Sequence, residues 1–270
     1  MERNEVNSEG FQYESRIVAF LDILGFRQKV FQDKSKAVDT IKHIEAALSH
    51  SEEMMKLEGP DSISIKLFSD CFCLSCGYNE LDRLVRELSF LQLWLADSNI
   101  FLRGALSSGL HFESTHMIFS EGLINAYDLQ IRDKFPRILI NEDIVKRMKG
   151  ETCADYGDRL VEYLIVAPDG LYFLDYLQIL TQESMMGVMD DILSGHKQAI
   201  LEEVKSNQGN YSIIEKYRWL SEYHNTKFHQ LYDLNDYYKD YQQKILDQMF
   251  IPDEIFPSFK IGALNFSKIE

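Results

Sequence analysis

The chain has 270 residues, a hydrophobic fraction of 45%, a formal net charge of −15 and a sequence pI of about 4.9. That is enough apolar material for one large domain, or for a domain with an extension. The acidic balance excludes a polyanion-binding surface, which needs clustered Lys and Arg, so no nucleic acid polymer is expected as partner. A small anion such as a nucleoside triphosphate remains open if Mg²⁺ or Mn²⁺ neutralises it locally.

The opening MERNEVNSEG is polar and acidic, unlike a signal or transit peptide, and reads as a loose leader to Phe11. No apolar run reaches the length of a membrane span, so no membrane partner is expected and the location reads as cytoplasmic. The stretch RIVAFLDILGF, Arg16 to Phe26, organises the chain. Ile17 to Leu21 is a buried-strand pattern that ends on Asp22 and then on Gly25, where the chain can turn. After it Phe26, Val30 and Phe31 share a helical face. A carboxylate at a strand end, with a glycine and a helix start after it, suits a metal–phosphate site. It equally suits an Asp that merely caps the helix.

A helix is predicted from about Gly25 to Gln32 and a second from Lys34 to about Leu57, broken by Gly59-Pro60-Asp61. Ile63, Ile65 and Leu67 alternate as a strand, Ser69-Asp70 forms a tight turn, and Cys71 to Cys76 returns, so Asp70 sits at a hairpin tip. Cys71, Cys73 and Cys76 lie in that strand without a fourth ligand at zinc spacing; they read as buried free thiols. Next come a helix from about Asn79 to Asp97 and a strand from Phe101 to Phe112 (FLRGALSSGLHF). The strand's glycines, 104 and 109, mark a bulge or a close backbone approach. Arg103 in that strand is either a contact to triphosphate or base, or half of a structural salt bridge. His111 and His116 read as packed or solvated.

Further on, Glu121 to Arg132 is a helix, Arg137 to Ile140 a strand, Glu142 to Met148 a helix, and Leu160 to Val166 with Leu171 to Leu174 a hairpin. This interleaving predicts an α/β (α+β) fold, one mixed sheet with helices packed on it. From Gln182 to Ser206 and Ile213 to Met249 the chain becomes polar, helical and rich in Tyr, Gln and Asp. The expected division is a body at 12–180 and a helical extension at 181–270 that covers the sheet or pairs with a second subunit.

If the strands ending at Asp22 and Asp70 are neighbours, both carboxylates reach one place. There they can hold one or two divalent cations about 3.5–4 Å apart, the arrangement used for in-line attack at phosphorus. The patterns Asp22-Ile-x-Gly-Phe26 and Lys66-x-x-Ser69-Asp70 resemble the metal motifs of class III nucleotidyl cyclases. RGALSSG (Arg103 to Gly109) and GLINAYDLQ (Gly122 to Gln130) resemble two further cyclase elements, and the resemblance covers residues 14 to 175. It implies the cyclase fold, a mainly antiparallel mixed sheet, with Asp22, Asp70 and the Ile23 carbonyl as ligands to two Mn²⁺ or Mg²⁺ ions. It also implies that backbone around Leu24, Gly25 and Phe26 holds the β- and γ-phosphates, and that the active form is a head-to-tail homodimer.

The positions of the cyclase transition-state Asn and Arg fall on Ile124 and Asp128, and Asn125, one step away, is the candidate substitute. Lys66 matches the base-reading lysine of purine cyclases, but its partner acid aligns with Met117. With FLDILGF, RGAL, AYDL and KYRWLSEYHN, the chain looks most like the pyrimidine cyclases of bacterial antiphage defence, the Pycsar family. That resemblance implies conversion of UTP or CTP to a 3′,5′-cyclic monophosphate that switches on a separate effector protein. Lys66 and Arg103, both donors, suit the two carbonyls of uracil, so UTP is expected before CTP. A purine cyclase and a catalytically silent cyclase-like sensor are the alternatives.

Overall fold

The computed structural model describes residues 6–8, 11–57, 63–150, 160–182, 185, 187–233, 249–256 and 267–268. Strand β1 (Val6–Ser8) leads to the long β2 (Phe11–Ile23), helices α1 (Phe26–Phe31) and α2 (Lys34–Leu57), and the hairpin β3 (Ile63–Phe68) and β4 (Cys71–Cys76). Helix α3 (Leu81–Asp97) precedes β5 (Leu102–Glu113), β6 (Ile118–Ser120), α4 (Glu121–Gln130), β7 (Ile138–Ile140) and α5 (Glu142–Met148). Then come β8 (Leu164–Val166), β9 (Tyr172–Leu174), a 3₁₀ segment (Tyr176–Thr181), α6 (Met189–Ser206), α7 (Tyr211–Asp233) and β10 (Ser267–Lys268).

The sheet order is β10-β8-β9-β7-β5-β2-β4-β3, with β1 on β2 and β6 on β5. Among the described residues every pairing is antiparallel except β5 with β7. This is the expected mixed, mainly antiparallel α+β sheet. Two expectations need correction. The leader is not loose throughout, because Val6–Ser8 pairs with Phe11–Tyr13 as an edge strand. The C-terminal part is not helical throughout, because Ser267–Lys268 extends the sheet beside β8. Strands this short carry little signal of their own, since the partner's open edge decides them. Of the long helix expected from Ile213 to Met249, residues 234–248 lie outside the described residues.

β2 sits centrally, and its pleat sorts its side chains. Ile17, Ala19 and Leu21 join the main core with Phe72, Leu74 and the apolar stripe of α3. Val18 and Phe20 face α4, where the Phe20 and Tyr127 rings meet edge to face at 5.5 Å. The two strand glycines of β5 mark close approaches. A Cβ on Gly104 would stand 2.2 Å from the Phe20 carbonyl, and one on Gly109 would stand 2.6 Å from the Gly122 nitrogen. The second contact lets α4 lie directly on the sheet. No helix among the described residues is long and apolar enough to cross a membrane.

Helices α6 and α7 pack into the same core, around a wholly buried polar network. Lys227 Nζ donates to Asp175 at 2.7 Å and to Gln178 at 3.0 Å, while the Tyr223 hydroxyl donates to Asp175 at 2.7 Å. Beside it runs a chain of hydrogen bonds whose direction is fixed by its end. The Met249 carbonyl can only accept, so His224 Nε2 donates to it at 3.0 Å and His224 Nδ1 accepts from His196 Nδ1 at 3.0 Å. His196 Nε2 then accepts from the Tyr176 hydroxyl at 2.5 Å. That direction requires both imidazoles to be neutral. Burial pushes His224 down to about 4 and His196 well below the ordinary histidine range, each reinforced by a nearby positive or imidazole group.

Because the unfolded chain takes up these protons near pH 6.5 and the folded chain resists them, stability is full above pH 6.5 and falls as the pH drops below it. Urea unfolding should show a loss of about 3 kcal/mol from His224 alone on going from pH 7 to pH 4, with His196 adding to it. The decline should already be under way between pH 6.5 and 4.5, above the carboxylate range; a flat profile there would contradict neutral buried histidines.

Candidate active site

Asp22 lies at the C-terminal end of β2, opposite Cys71 on β4 and Arg103 on β5. The strand end is clamped on both sides: the Ile23 N–H donates to the Asp70 carbonyl at 3.0 Å and the Leu24 N–H to the Phe101 carbonyl at 2.8 Å. Asp70 is the second residue of the two-residue turn between the paired Phe68 and Cys71. Ser69, the first, has φ of 57°, a left-handed conformation uncommon outside glycine and its polar stand-ins. This strained turn aims Asp70 at Asp22. One carboxylate oxygen from each, together with the Cys71 sulfur, all lie within 4.8 Å of one another.

Arg103 reaches the same place. Its Nε and Nη2 both contact Asp22 Oδ2 at 2.6 Å. The structural salt bridge weighed for Arg103 thus exists, and its acid is Asp22 itself. Burial, then Asp70, pushes the Asp22 carboxyl above the usual carboxylate range, while Arg103 pulls it back. Burial first, and then Asp70 and Asp22, push the Cys71 thiol up to about 11, so it stays protonated. Cys73 and Cys76 are buried thiols pushed up to about 12 by burial, as a packing role requires. The donor set is two hard carboxylates beside one thiol, short of the four nitrogen or sulfur ligands of a structural zinc site. It fits Mg²⁺ or Mn²⁺ and does not fit structural zinc. Asp22 and Asp70 would hold the ion.

The remaining candidate residues are spread more widely. Ile23 lies at the clamped strand end. Leu24 and Gly25 line a cavity beyond it, and Gly25, at φ 70°, begins α1; the Leu24 amide is already engaged with Phe101. Phe26 is partly buried against the core and is not among the cavity-lining residues. Lys66 is on β3, and its ammonium stands 3.5 Å from Glu113 Oε1. Met117, where the alignment puts the partner acid, is instead half exposed just before β6. Asn125 on α4 donates to the Ser108 carbonyl at 3.1 Å. Ser108 is five residues along β5 from Arg103, about 16 Å of strand, so one chain does not bring Asn125 to its own Asp22.

Glu113 was not visible as a site residue in the sequence. Glu113, at the far end of β5, accepts from Ser64 on β3, from Ser75 on β4 at 3.4 Å and from His111 Nε2 at 3.4 Å. Burial opposes its charge, but His111, Ser64 and Lys66 outweigh it and hold Glu113 down at about 2.

No family model matches the chain, and no curated protein matches it. Among solved structures, it is similar to the catalytic core of a rhodopsin-guanylyl cyclase with converted specificity in complex with ATPαS, at 16% identity and a TM-score of 0.44, covering 60% of this chain and 95% of that one. It is also similar to two structures of a bacterial light-regulated adenylyl cyclase. One gives 13% identity and TM-score 0.43 over 70% of this chain and 59% of that one. The other gives 14% and 0.42 over 66% and 97%. At these values the likeness is weak, and the chemistry has to come from the side chains themselves.

Mn²⁺ should raise the melting temperature of the wild type, by the equivalent of about 2.7 kcal/mol at a hundredfold excess over its Kd. Asp70→Asn should abolish that rise, and Arg103→Gln should enlarge it by removing the guanidinium that competes for Asp22. A full rise in Asp70→Asn would remove this residue from the cation site.

Proposed function

We propose that the chain is a nucleotidyl cyclase that converts UTP to 3′,5′-cyclic UMP and diphosphate. The observation that carries this reading is the convergence of Asp22 and Asp70, from two separate strands, with hard oxygen donors facing each other. Like charges so close are costly without a counter-charge, and here part of that charge is lent by Arg103. In the reaction the ribose 3′-oxygen attacks the α-phosphorus in line with the bond to the β-phosphate. That bond breaks, diphosphate leaves, and the hydroxyl proton passes to water. Divalent cations bound there would supply acidity to the 3′-hydroxyl and neutralise the triphosphate. Asp22 and Asp70 orient the reacting end, and Arg103 is released from Asp22 toward the phosphates.

Residues 12–180 are the proposed catalytic unit and 181–270 its extension. The cyclic nucleotide is read as a signal to a separate effector protein in antiphage defence, on the motif resemblance alone.

A head-to-tail homodimer is part of the same proposal. Asn125 is too far along β5 to serve its own Asp22, so a second copy must present it. Apolar side chains that would gain from burial stand exposed: Phe68 at 84% beside the Asp70 turn, and Ile124 at 61% next to Asn125 on α4. Phe68 shares the sheet face of Lys66.

One observation favours a second reading. Glu113 beside Lys66 gives a donor and an acceptor together, which an amine-bearing base such as cytosine or a purine would use. Glu113 already accepts from two serines and a histidine as well as Lys66, so its oxygens are committed and the ammonium is the group left for the base. This keeps uracil, with its two carbonyls, as the proposed base.

In an equal mixture of four NTPs with Mn²⁺, cyclic UMP should be the main product, by roughly tenfold or more. Asp22→Asn and Asp70→Asn should each lower the rate at least about a hundredfold. Dominant cyclic AMP would overturn the base assignment. Asp70→Asn and Asn125→Ala, each silent alone, should recover about a quarter of wild-type activity when mixed, as two sites per two-fold dimer require. No recovery on mixing, with light scattering showing a monomer, would end the shared-site proposal.

A further inference from the structure

A cavity of about 480 Å³ opens where β2 gives way to α1, between α1 and α2 on one side and α6 and α7 on the other. It begins at Leu24 and Gly25, two and three residues after Asp22. Its ionisable lining is three lysines, Lys29, Lys36 and Lys216, and one acid, Glu203, a formal +2 (3 − 1) within a chain of net −15. Chance placement in so acidic a chain would give the opposite sign.

The charges are not equivalent. Lys29 is committed: Nζ donates to the Asn99 carbonyl at 2.8 Å and stands 3.3 Å from Glu203. Glu203 in turn accepts from the Tyr217 hydroxyl at 3.0 Å and from Asn207 at 3.1 Å. Lys36 is exposed. Lys216 differs from both. It is half-buried on α7 and makes no hydrogen bond or ion pair among the described residues. Its neighbours on the helix are tied down, Glu215 by Lys134 at 2.7 Å and Tyr217 by Glu203, so α7 holds Lys216 at the cavity without giving it a partner. A partly desolvated ammonium without a counter-ion carries a cost that an anion would reduce. Burial lowers the Lys216 ammonium from its ordinary range and Arg103 lowers it further, while Asp22 raises it, so the lysine stands within electrostatic reach of the carboxylate site.

We infer that this cavity holds the β- and γ-phosphates of the nucleotide and that Lys216, from the C-terminal extension, is their charged ligand. The inference rests on the nucleotide reading of the carboxylate site and adds what the extension does there. Sequence resemblance assigns the phosphates to backbone around Leu24 to Phe26; the cavity adds a side chain from a helix 190 residues later (216 − 26). The extension is then part of the substrate site as well as a cover for the core. Lys216 is a binding residue, bridging to the leaving diphosphate, and takes no part in deprotonating the 3′-hydroxyl.

The test is calorimetric titration of the full chain with inorganic triphosphate, and separately with α,β-imido-UTP, each with Mg²⁺. Lys216→Gln should weaken both by about ten- to a hundredfold, the range for one charge-assisted contact, and Lys216→Arg should recover most of the loss. Uridine monophosphate, which lacks the distal phosphates, should bind wild type and variant alike. Without ligand, Lys216→Gln should melt no lower than wild type, which excludes a folding defect. Unchanged triphosphate affinity in Lys216→Gln overturns the inference, as does a wild type that binds no triphosphate. If triphosphate binding falls as expected but no NTP is cyclised, the phosphate site stands and the cyclase reading fails.

Discussion

The approach of Asp22 to Asp70 is the constraint on which the rest depends. Two carboxylates at one place raise each other's energy, and the fold contains several devices that keep them there. The β2 end is pinned between the Asp70 carbonyl and the Phe101 carbonyl. The turn carrying Asp70 accepts a left-handed serine. Arg103, held opposite Asp22 by the register of β2 with β5, lends a positive charge. That register is itself protected by Gly104, since any side chain there would strike the Phe20 carbonyl. Like-charge repulsion and strain stored together in this way are what a bound cation would relieve.

Charge is distributed around that site with a purpose that the net value hides. The chain is acidic overall, yet the space beyond Gly25 is lined by more ammonium than carboxylate groups. The carboxylates Asp22 and Asp70 thus stand on one side of Gly25 and the lysines of the cavity on the other. Glu113, paired with Lys66, is kept ionised by His111, Ser64 and the lysine itself. The C-terminal helices supply one wall of the cavity and the lysine that has no partner among the described residues. Their own anchorage is the buried Asp175–Lys227–Tyr223 cluster together with the Tyr176–His196–His224 chain. Such buried polar groups fix a helix in one position because any shift leaves a donor or acceptor unmet.

Much of this was legible in the sequence wherever local physics decides the outcome. The run Ile17 to Leu21, the glycine at 25, the two-residue turn at Ser69-Asp70 and the alternation in Ile63 to Leu67 each specify their own geometry, and β2, β3 and β4 are the result. The glycines at 104 and 109 also read correctly as close approaches. What escaped is decided by partners distant in sequence. Arg103 could be a phosphate contact or a salt bridge until the β2–β5 register put Asp22 across from it. Glu113 meets Ser64 across 49 residues of sequence, and no local pattern reports a contact of that range. Lys216 sits in an unremarkable polar helix, and its meaning appears only once α7 docks. The short strands β1 and β10 belong to the edges that receive them.

The central claim is that these carboxylates direct a ribose hydroxyl, rather than water, to the α-phosphorus. Phosphorus NMR of the pure chain with UTP and Mg²⁺ observes the products directly. The expected result is diphosphate and a cyclic phosphodiester rising together, one for one. Orthophosphate, uridine monophosphate without the cyclic ester, or no turnover with any nucleoside triphosphate would contradict it.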